Sequence, residues 1–170
     1  NKVITEYIPN HGSKLSEKVR TLGSSIRDKL HQELRGFYIP ETEIDTPFTY
    51  IWARTIRCEG PNCGYRFPLL RSMWLRQKPT SKVALNLLPN SAKKEVEADI
   101  LQDVTNSKVK PGTSKLGAAT CPECTYTTPV EQVRNQLSSR DGGAFDAQLL
   151  AVCYTKNGTK GKLFRKPTKD

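Results

Sequence analysis

The sequence predicts an α+β protein: an antiparallel, β-rich domain that follows a long N-terminal amphipathic helix and carries one short helix near its C-terminus. Three observations predict it. Apolar residues recur at helical spacing near the N-terminus, β-branched and aromatic segments alternate with turn residues through the middle, and two close pairs of cysteines bracket most of those segments. We therefore expect residues 1–40 to form a helical arm and residues 41–170 to form the β domain, with a β insertion between the two cysteine pairs.

The N-terminal helix is predicted by a single apolar stripe. Its members follow one another at steps of three or four residues, which places them on one face of an α-helix: Leu15, Val19, Leu22, Ile26, Leu30 and Leu34. Ser13 is the predicted N-cap and Gly36 the predicted C-terminal stop. The stripe must pack on something, either the strands that follow or a protein surface outside this chain.

Segments in the middle of the chain are predicted as strands of an antiparallel, hairpin-linked sheet: FTYIWARTIRC, YRFPLLRSMWL, KVALNLLP, EVEADILQ and SKLGAATC. TPVEQVRNQL then predicts a short helix, with Thr128 as N-cap, Pro129 at the first helical position and Glu131 completing a capping box. The predicted inner face of this helix holds Val130, Val133 and Leu137. AQLLAVCYT and GKLFRKP, joined by KNGTKG, predict a closing hairpin.

The bulk composition limits the class of protein. The chain has 170 residues and a formal net charge of +10, a balance that favours polyanionic partners. Only 36% of residues are hydrophobic, so the core is lean. No apolar run approaches the roughly 18 residues that would span a bilayer, and we expect a cytoplasmic protein with no membrane contact. Because the sequence begins with Asn, we also expect an excised piece of a longer polypeptide.

The cysteines carry the strongest chemical signal. Cys58 and Cys63 have four residues between them, and Cys121 and Cys124 have two. Each pair can supply two thiolates from a tight turn to one tetrahedral ion, and both spacings fall in the range of zinc sites. Cys153 stands alone on a strand-like run and is predicted to be a core thiol.

Other interpretations of the two pairs are an iron site of the same shape and thiols without metal. Disulfides fit poorly, because the sequence shows no secretion signal and one cysteine would stay unpaired. Four thiolates close the coordination sphere and leave no position for a water nucleophile, so the ion would be structural. The cysteines thus predict a zinc ribbon whose metal adds folding free energy to a lean core.

Basic residues concentrate around the first cysteine pair. As a group, with none singled out, five of them are candidates for binding nucleic-acid phosphates: Arg54, Arg57, Arg66, Arg71 and Arg76. The alternative is that they are solvated surface charges. Trp52 and Trp74 alternate with these arginines and either offer stacking faces to bases or pack in the core; we favour core packing for at least one of them.

No catalytic constellation is recognisable in the sequence. The histidines, His11 and His31, lie in or beside the first helix, and there is neither a Gly-rich nucleotide loop nor a nucleophile elbow. We therefore expect that the chain itself is not an enzyme.

Several blocks, taken in order, resemble a known family: YIWARTIRCEGPNCGYRFPLLRSMWL, GAATCPECTYTTPVEQVRNQL, GGAFDAQLLAVCYT and GKLFRKPT. Their succession is similar to the zinc-ribbon segment inside large adenine-specific DNA methyltransferases of bacteria and archaea that carry an uncharacterised N-terminal domain. The upstream LGSSIRDKLHQELRGFYIP resembles the helix that leads into that segment. The resemblance covers most of the chain, from about residue 22 to about residue 168.

The resemblance implies a zinc-ligand role for both cysteine pairs and no catalytic residue. The Asp/Asn-Pro-Pro-Tyr/Phe motif and the S-adenosylmethionine-binding glycine motif of such enzymes have no counterpart here, so S-adenosylmethionine would bind only in the parent protein. The implied function is a structural domain that helps a parent methyltransferase engage DNA, with DNA and the methyltransferase core as partners. The alternative function is an interaction or scaffolding module that packs on a catalytic core or a partner subunit.

Overall fold

The computed structural model of this chain describes residues 1–12, 14–34, 45–140, 146–156, 158 and 161–167. The chain divides into two compact units, residues 1–42 and residues 43–170. We call them the helical unit and the ribbon unit.

The helical unit contains a π-helical turn at Val3–Tyr7, a short helix α1 at Ile8–His11 and a long helix α2 at Lys14–Leu34. The predicted long helix is therefore confirmed, whereas the two short elements before it were not predicted. The stripe of α2 faces solvent within this unit: from Val19 to Leu34 its members are 41% to 64% exposed. Ser13 and Gly36, the predicted helix stops, lie outside the described residues. None of the helices in the described ranges is long and apolar enough to cross a membrane.

The ribbon unit contains ten strands, one 3-10 turn and one α-helix in its described part. The strands are β1 (Asp45–Arg57), β2 (Arg66–Pro68), β3 (Trp74–Lys78), β4 (Ser81–Asn90), β5 (Glu95–Gln102), β6 (Ser114–Lys115), β7 (Ala118–Thr120), β8 (Thr127–Thr128), β9 (Ala147–Lys156) and β10 (Leu163–Arg165). The 3-10 turn spans Asn106–Lys108 and the helix α3 spans Val130–Ser139.

The strands form two sheets. The larger has seven strands in the order β10-β9-β1-β2-β5-β4-β3, and the smaller has three in the order β6-β7-β8. All pairings are antiparallel except the short parallel contact between β2 and β5. The predicted α+β class, with mostly antiparallel sheets, a long N-terminal helix and a short helix near the C-terminus, is confirmed.

The predicted strand YRFPLLRSMWL is interrupted, because its centre leaves the sheet to contact the β6 segment. The Leu70 amide donates to Thr113 Oγ1 at 2.9 Å, and the Leu70 carbonyl accepts from the Ser114 amide at 2.9 Å. Gly112 fits against this crossing because it lacks a side chain: an added Cβ would overlap the backbone of Leu70 and Arg71. The crossing ties the small sheet to the large one.

The large sheet coils enough for its two end strands to meet. The Arg76 guanidinium on β3 donates to the Lys162 carbonyl at 2.5 Å and lies over the Phe164 ring of β10, 5.7 Å from its centroid. Lys166 pairs with Asp99 of β5 at 2.8 Å, and this hydrogen bond lowers the pKa of Asp99. The predicted closing hairpin of β9 and β10 is confirmed, with Phe164 opposite Cys153.

The core lies between the coiled sheet and α3, and it is continuous with the cysteine pairs. Ile56, Phe67 and Leu150 are fully buried, and the same apolar cluster includes Cys58 and Cys121. A metal held by these cysteines would therefore be anchored directly to the hydrophobic core. Cys153 is also buried, which confirms the predicted core thiol, and burial raises its pKa.

Helix α3 packs as predicted but begins differently. Val133 is buried and Leu137 packs against the core. The predicted capping box is wrong: Pro129 is the N-cap, and the buried Thr128 Oγ1 has no hydrogen-bond partner among the described residues. The reason is that Thr128 pairs with Ala119 in the β7–β8 ladder, so it belongs to a strand.

Candidate metal centre

The first cysteine pair lies in a tight turn between β1 and β2. The Cys58 amide donates to the Tyr65 carbonyl at 2.9 Å, and the Cys63 amide donates to the Gly60 carbonyl at 3.1 Å. The Gly60 amide in turn donates to Cys58 Sγ at 3.3 Å. Gly64, directly after the second cysteine, has a φ of 67°, a conformation in which glycine avoids the steric cost of a Cβ.

The second cysteine pair lies between β7 and β8 and repeats this frame with a shorter turn. The Cys121 amide donates to the Tyr126 carbonyl at 2.9 Å, two residues beyond Cys124, just as Tyr65 lies two residues beyond Cys63. Thr125, directly after the second cysteine, has a φ of 62°. The two turns differ in length but present their sulfurs from the same local geometry.

The two turns bring four sulfur atoms together. All four lie within 4.8 Å of one another. Cys58 Sγ is 3.4 Å from Cys124 Sγ, and Cys63 Sγ is 3.8 Å from Cys121 Sγ. These separations exceed the ~2.05 Å of a disulfide bond. They are close to the ~3.8 Å between thiolates that surround one zinc ion at ~2.3 Å in a tetrahedron. The predicted ligands are therefore brought to one point.

Electrostatics in the cluster favour a cation. Burial raises the pKa of Cys58 and Cys121, against the opposing hydrogen bonds from the Gly60 and Cys124 amides respectively. Burial acts in the same direction on Cys124, but the Tyr126 amide and the neighbouring thiols outweigh it and lower the pKa of Cys124. Without a bound ion, four adjacent thiolates would repel one another. A divalent cation removes that repulsion, and an all-sulfur donor set suits zinc or iron rather than magnesium or calcium.

Contacts around the sulfurs hold the two turns against each other. Gly60 lies so close to the second turn that an added Cβ would stand 2.9 Å from Tyr126 Cβ and 3.2 Å from Cys124 Sγ. Three of the four clustered cysteines are buried and the fourth, Cys124, is exposed. With four protein sulfurs as donors the coordination sphere is filled, so the arrangement can stabilise a fold but offers no open position to a substrate.

Helix α3 fixes the end of β1 beside the first turn. The Arg57 amide donates to Gln136 Oε1 at 2.8 Å, and Gln136 Nε2 donates to the Arg57 carbonyl at 2.9 Å. Gln136 Nε2 also contacts Glu59 Oε1 at 2.7 Å. The Gln136 side chain therefore pairs with both the amide and the carbonyl of Arg57, as the backbone of a neighbouring strand would.

Three of the five candidate arginines have partners within the described part of the chain. Arg54 pairs with the buried Asp146 at 2.7 Å and donates to the Leu137 carbonyl, and Arg66 lies 3.8 Å from Glu95. Arg76 is held by Lys162, Phe164 and Ser81. The side chains of Arg57 and Arg71 are exposed, and neither has a partner within the described part of the chain. Of these three, Arg54 and Arg66 pair with acids, whereas Arg76 contacts a carbonyl, a hydroxyl and an aromatic ring.

The tryptophans differ in burial. Trp52 on β1 is 56% exposed, so core packing does not hold for this residue. Trp74 on β3 is half-buried. Near Trp52 along β1, the exposed Phe48 ring lies 3.4 Å from Lys162 Nζ.

Gln136 and Asp146 both contact β1, the strand that leads into the first cysteine turn, and these roles were missed in the sequence. Each acts on a residue of β1 that is distant in the chain, 79 positions from Arg57 for Gln136 and 92 positions from Arg54 for Asp146. No local spacing signals such a contact. The one hint is that a polar Gln136 stands beside the apolar face of α3.

Comparison of the chain with protein-family models, with curated proteins and with solved structures finds no match. The assignment of the site therefore rests on its own geometry. That geometry supports a four-cysteine metal site, whose all-sulfur donors and spacing suit zinc or iron.

Proposed function

We propose that this chain is a structural zinc-ribbon module that helps a larger DNA methyltransferase engage DNA. The observation that carries the structural part is the cluster of four sulfurs, joined to the hydrophobic core and closed to further ligands. The methyltransferase context is supported by the resemblance of the sequence blocks around both cysteine pairs. In this proposal S-adenosylmethionine and the catalytic residues belong to the rest of the enzyme, and DNA and that catalytic core are the partners.

The DNA-binding part is supported by charge. The chain carries a net charge of +10, and the side chains of Arg57 and Arg71 are exposed without partners in the described ranges. Such residues bind phosphates with little dependence on base sequence, and each phosphate contact releases counterions. Affinity would therefore fall steeply as salt rises.

The test has two parts. Elemental analysis of the purified chain should give one zinc per chain and little iron; iron in its place would overturn the zinc assignment. Fluorescence anisotropy with a labelled duplex, from low to physiological salt, should show binding that weakens with salt. Replacing Arg57 and Arg71 together by Gln should reduce the salt slope by up to about 2. Lys93→Gln with Lys78→Gln is the control with the same loss of charge. No binding of duplex even at low salt would overturn the DNA-binding part.

A second candidate function is a protein-interaction module. The observation that favours it is the exposed stripe of α2, where Leu22 is 64% and Val19 is 62% exposed. Apolar stripes of this length are usually covered in the working assembly. Under this candidate the positive charge contributes to solubility, and the duplex experiment gives no binding.

A further inference from the structure

A cavity of about 470 Å³ opens beside the second cysteine turn. Its floor is apolar and buried, formed by Met73, Leu85 and Leu87. Pro111 and Pro122 line it as well. Small-molecule and cofactor sites commonly have volumes of about 300–1,000 Å³, an apolar lining and a few polar groups at the edge. This cavity has the size and lining of a ligand site.

Basic residues line the cavity. Lys110 and Lys115 line it; both are exposed, and neither has an ion-pair partner among the residues the structure describes. Arg71 is a close neighbour, because the lining residue Gly112 packs on the Arg71 backbone. No acidic residue is among the described residues that line the cavity. An anionic ligand is therefore complementary to it.

The second cysteine turn forms part of the wall. Cys121, Pro122 and Thr125 line the cavity, as does Thr120 at the end of β7. A metal held by the four cysteines would fix the position of this turn, and with it this side of the cavity.

We propose that this cavity binds one unstacked nucleotide of a single-stranded nucleic acid, with the base on the apolar floor and the flanking phosphates at Lys110 and Lys115. The proposal rests on the nucleic-acid role proposed above and narrows its substrate class. Along a single strand, every base has one phosphate on each side. A base on the apolar floor would therefore bring two phosphates to the cavity that Lys110 and Lys115 line. The polar edge of a base needs hydrogen-bond partners in such a site, and Asn86 and Thr120 also line it.

The experiment measures how tightly the zinc-loaded chain binds a labelled single-stranded oligonucleotide and the matching duplex. Both affinities are measured by fluorescence anisotropy at the same low salt. We expect the single strand to bind more tightly. Lys110→Glu together with Lys115→Glu should weaken single-strand binding at least tenfold. The matched control is Lys78→Glu with Lys93→Glu, which makes the same change in net charge on exposed lysines that do not line the cavity. It should weaken binding less than threefold.

A second variant tests the contribution of the cavity without changing the net charge of the protein. Thr120 is exposed and lines the cavity, so Thr120→Trp should fill it with little loss of buried packing. We expect this variant to keep one zinc per chain and lose the preference for single strands. Retention of the full preference by Thr120→Trp would overturn the proposal.

The remaining outcomes distinguish this proposal from the broader one. Equal binding of duplex and single strand, insensitive to Lys110 and Lys115 but reduced by the Arg57 and Arg71 changes, overturns the cavity proposal and leaves DNA binding in place. No binding of either nucleic acid overturns both. Binding of a leucine-containing acidic peptide in place of the oligonucleotide, lost in the lysine variant, also overturns it and assigns the cavity to a protein partner.

Discussion

The ribbon unit buries many of its apolar side chains, whereas the helical unit leaves its apolar stripe exposed. The ribbon unit buries Ile56 and Phe67 completely and joins them to four converging cysteines. The helical unit has a long amphipathic helix whose described residues are never buried, and Leu22 is 64% exposed. One unit has an apolar core and a candidate metal site, whereas the other presents an apolar surface.

The difference indicates where a bound metal would add stability to a lean sequence. Only 36% of the residues are hydrophobic, and the described core lies in the ribbon unit around the cysteine turns. A structural zinc adds folding free energy that burial alone does not supply, and small zinc domains commonly unfold without it. Among the described residues of its own unit the helix buries no side chain, whereas isolated helices depend on packing of their apolar face for stability.

The largest expected effect comes from removing one sulfur. Cys121→Ser should release the metal and unfold the ribbon unit, because structural zinc contributes on the order of 10–16 kcal/mol in small fingers. Zinc content and tryptophan fluorescence report this directly, since Trp52 and Trp74 both lie in the ribbon unit. Cys153→Ala is the control: it removes a buried thiol outside the cluster and should retain one zinc per chain. A folded, zinc-replete Cys121→Ser would remove Cys121 from the ligand set.

The next effect tests how tightly the two cysteine turns fit. Gly60→Ala would place a Cβ against Tyr126 and Cys124, so we expect a loss of about 1–3 kcal/mol in unfolding free energy and weaker zinc retention against a chelator. Gly64→Ala provides the comparison, because its Cβ meets no atom within 4 Å and only the φ of 67° opposes it. That strain is about 1–2 kcal/mol. If Gly60→Ala retained zinc better than Gly64→Ala, the contact between the turns would not matter.

How much of this could be predicted from the sequence depends on the range of each signal. Helix α2 and the cysteine pairs were predictable because helical periodicity and cysteine spacing are local, and the chemistry of four thiolates is specific. The capping box at Thr128 failed because a strand pairing with Ala119 took precedence over a local motif. The candidate arginines were grouped by their proximity in the chain, whereas the fold assigns Arg54 to the distant Asp146.

A smaller effect is expected at the junction of α3 with β1. Gln136→Glu keeps an acceptor for the Arg57 amide but places a carboxylate against the Arg57 carbonyl and Glu59. We expect the unfolding free energy of the ribbon unit to fall by about 0.5–1.5 kcal/mol, because the exposed Arg57 carbonyl loses its donor and the new carboxylate stands against Glu59. Chemical denaturation monitored by tryptophan fluorescence measures it. Gln132→Glu, on the exposed side of the same helix, is the matched control and should change stability by less than about 0.5 kcal/mol.

The smallest effect is expected from changes in the helical unit. It tests most directly the contrast between the buried core of the ribbon unit and the exposed stripe of α2. Leu22→Ser with Ile26→Ser should leave the unfolding free energy of the ribbon unit within about 0.5 kcal/mol of its original value, because these side chains are 64% and 51% exposed. Denaturation followed by tryptophan fluorescence measures this, and Ser24→Ala with Ser25→Ala controls for helix propensity. A loss of several kcal/mol would mean that the ribbon unit buries the stripe, and the comparison between the two units would fail. An unchanged stability means that the fold of the ribbon unit does not depend on these two side chains.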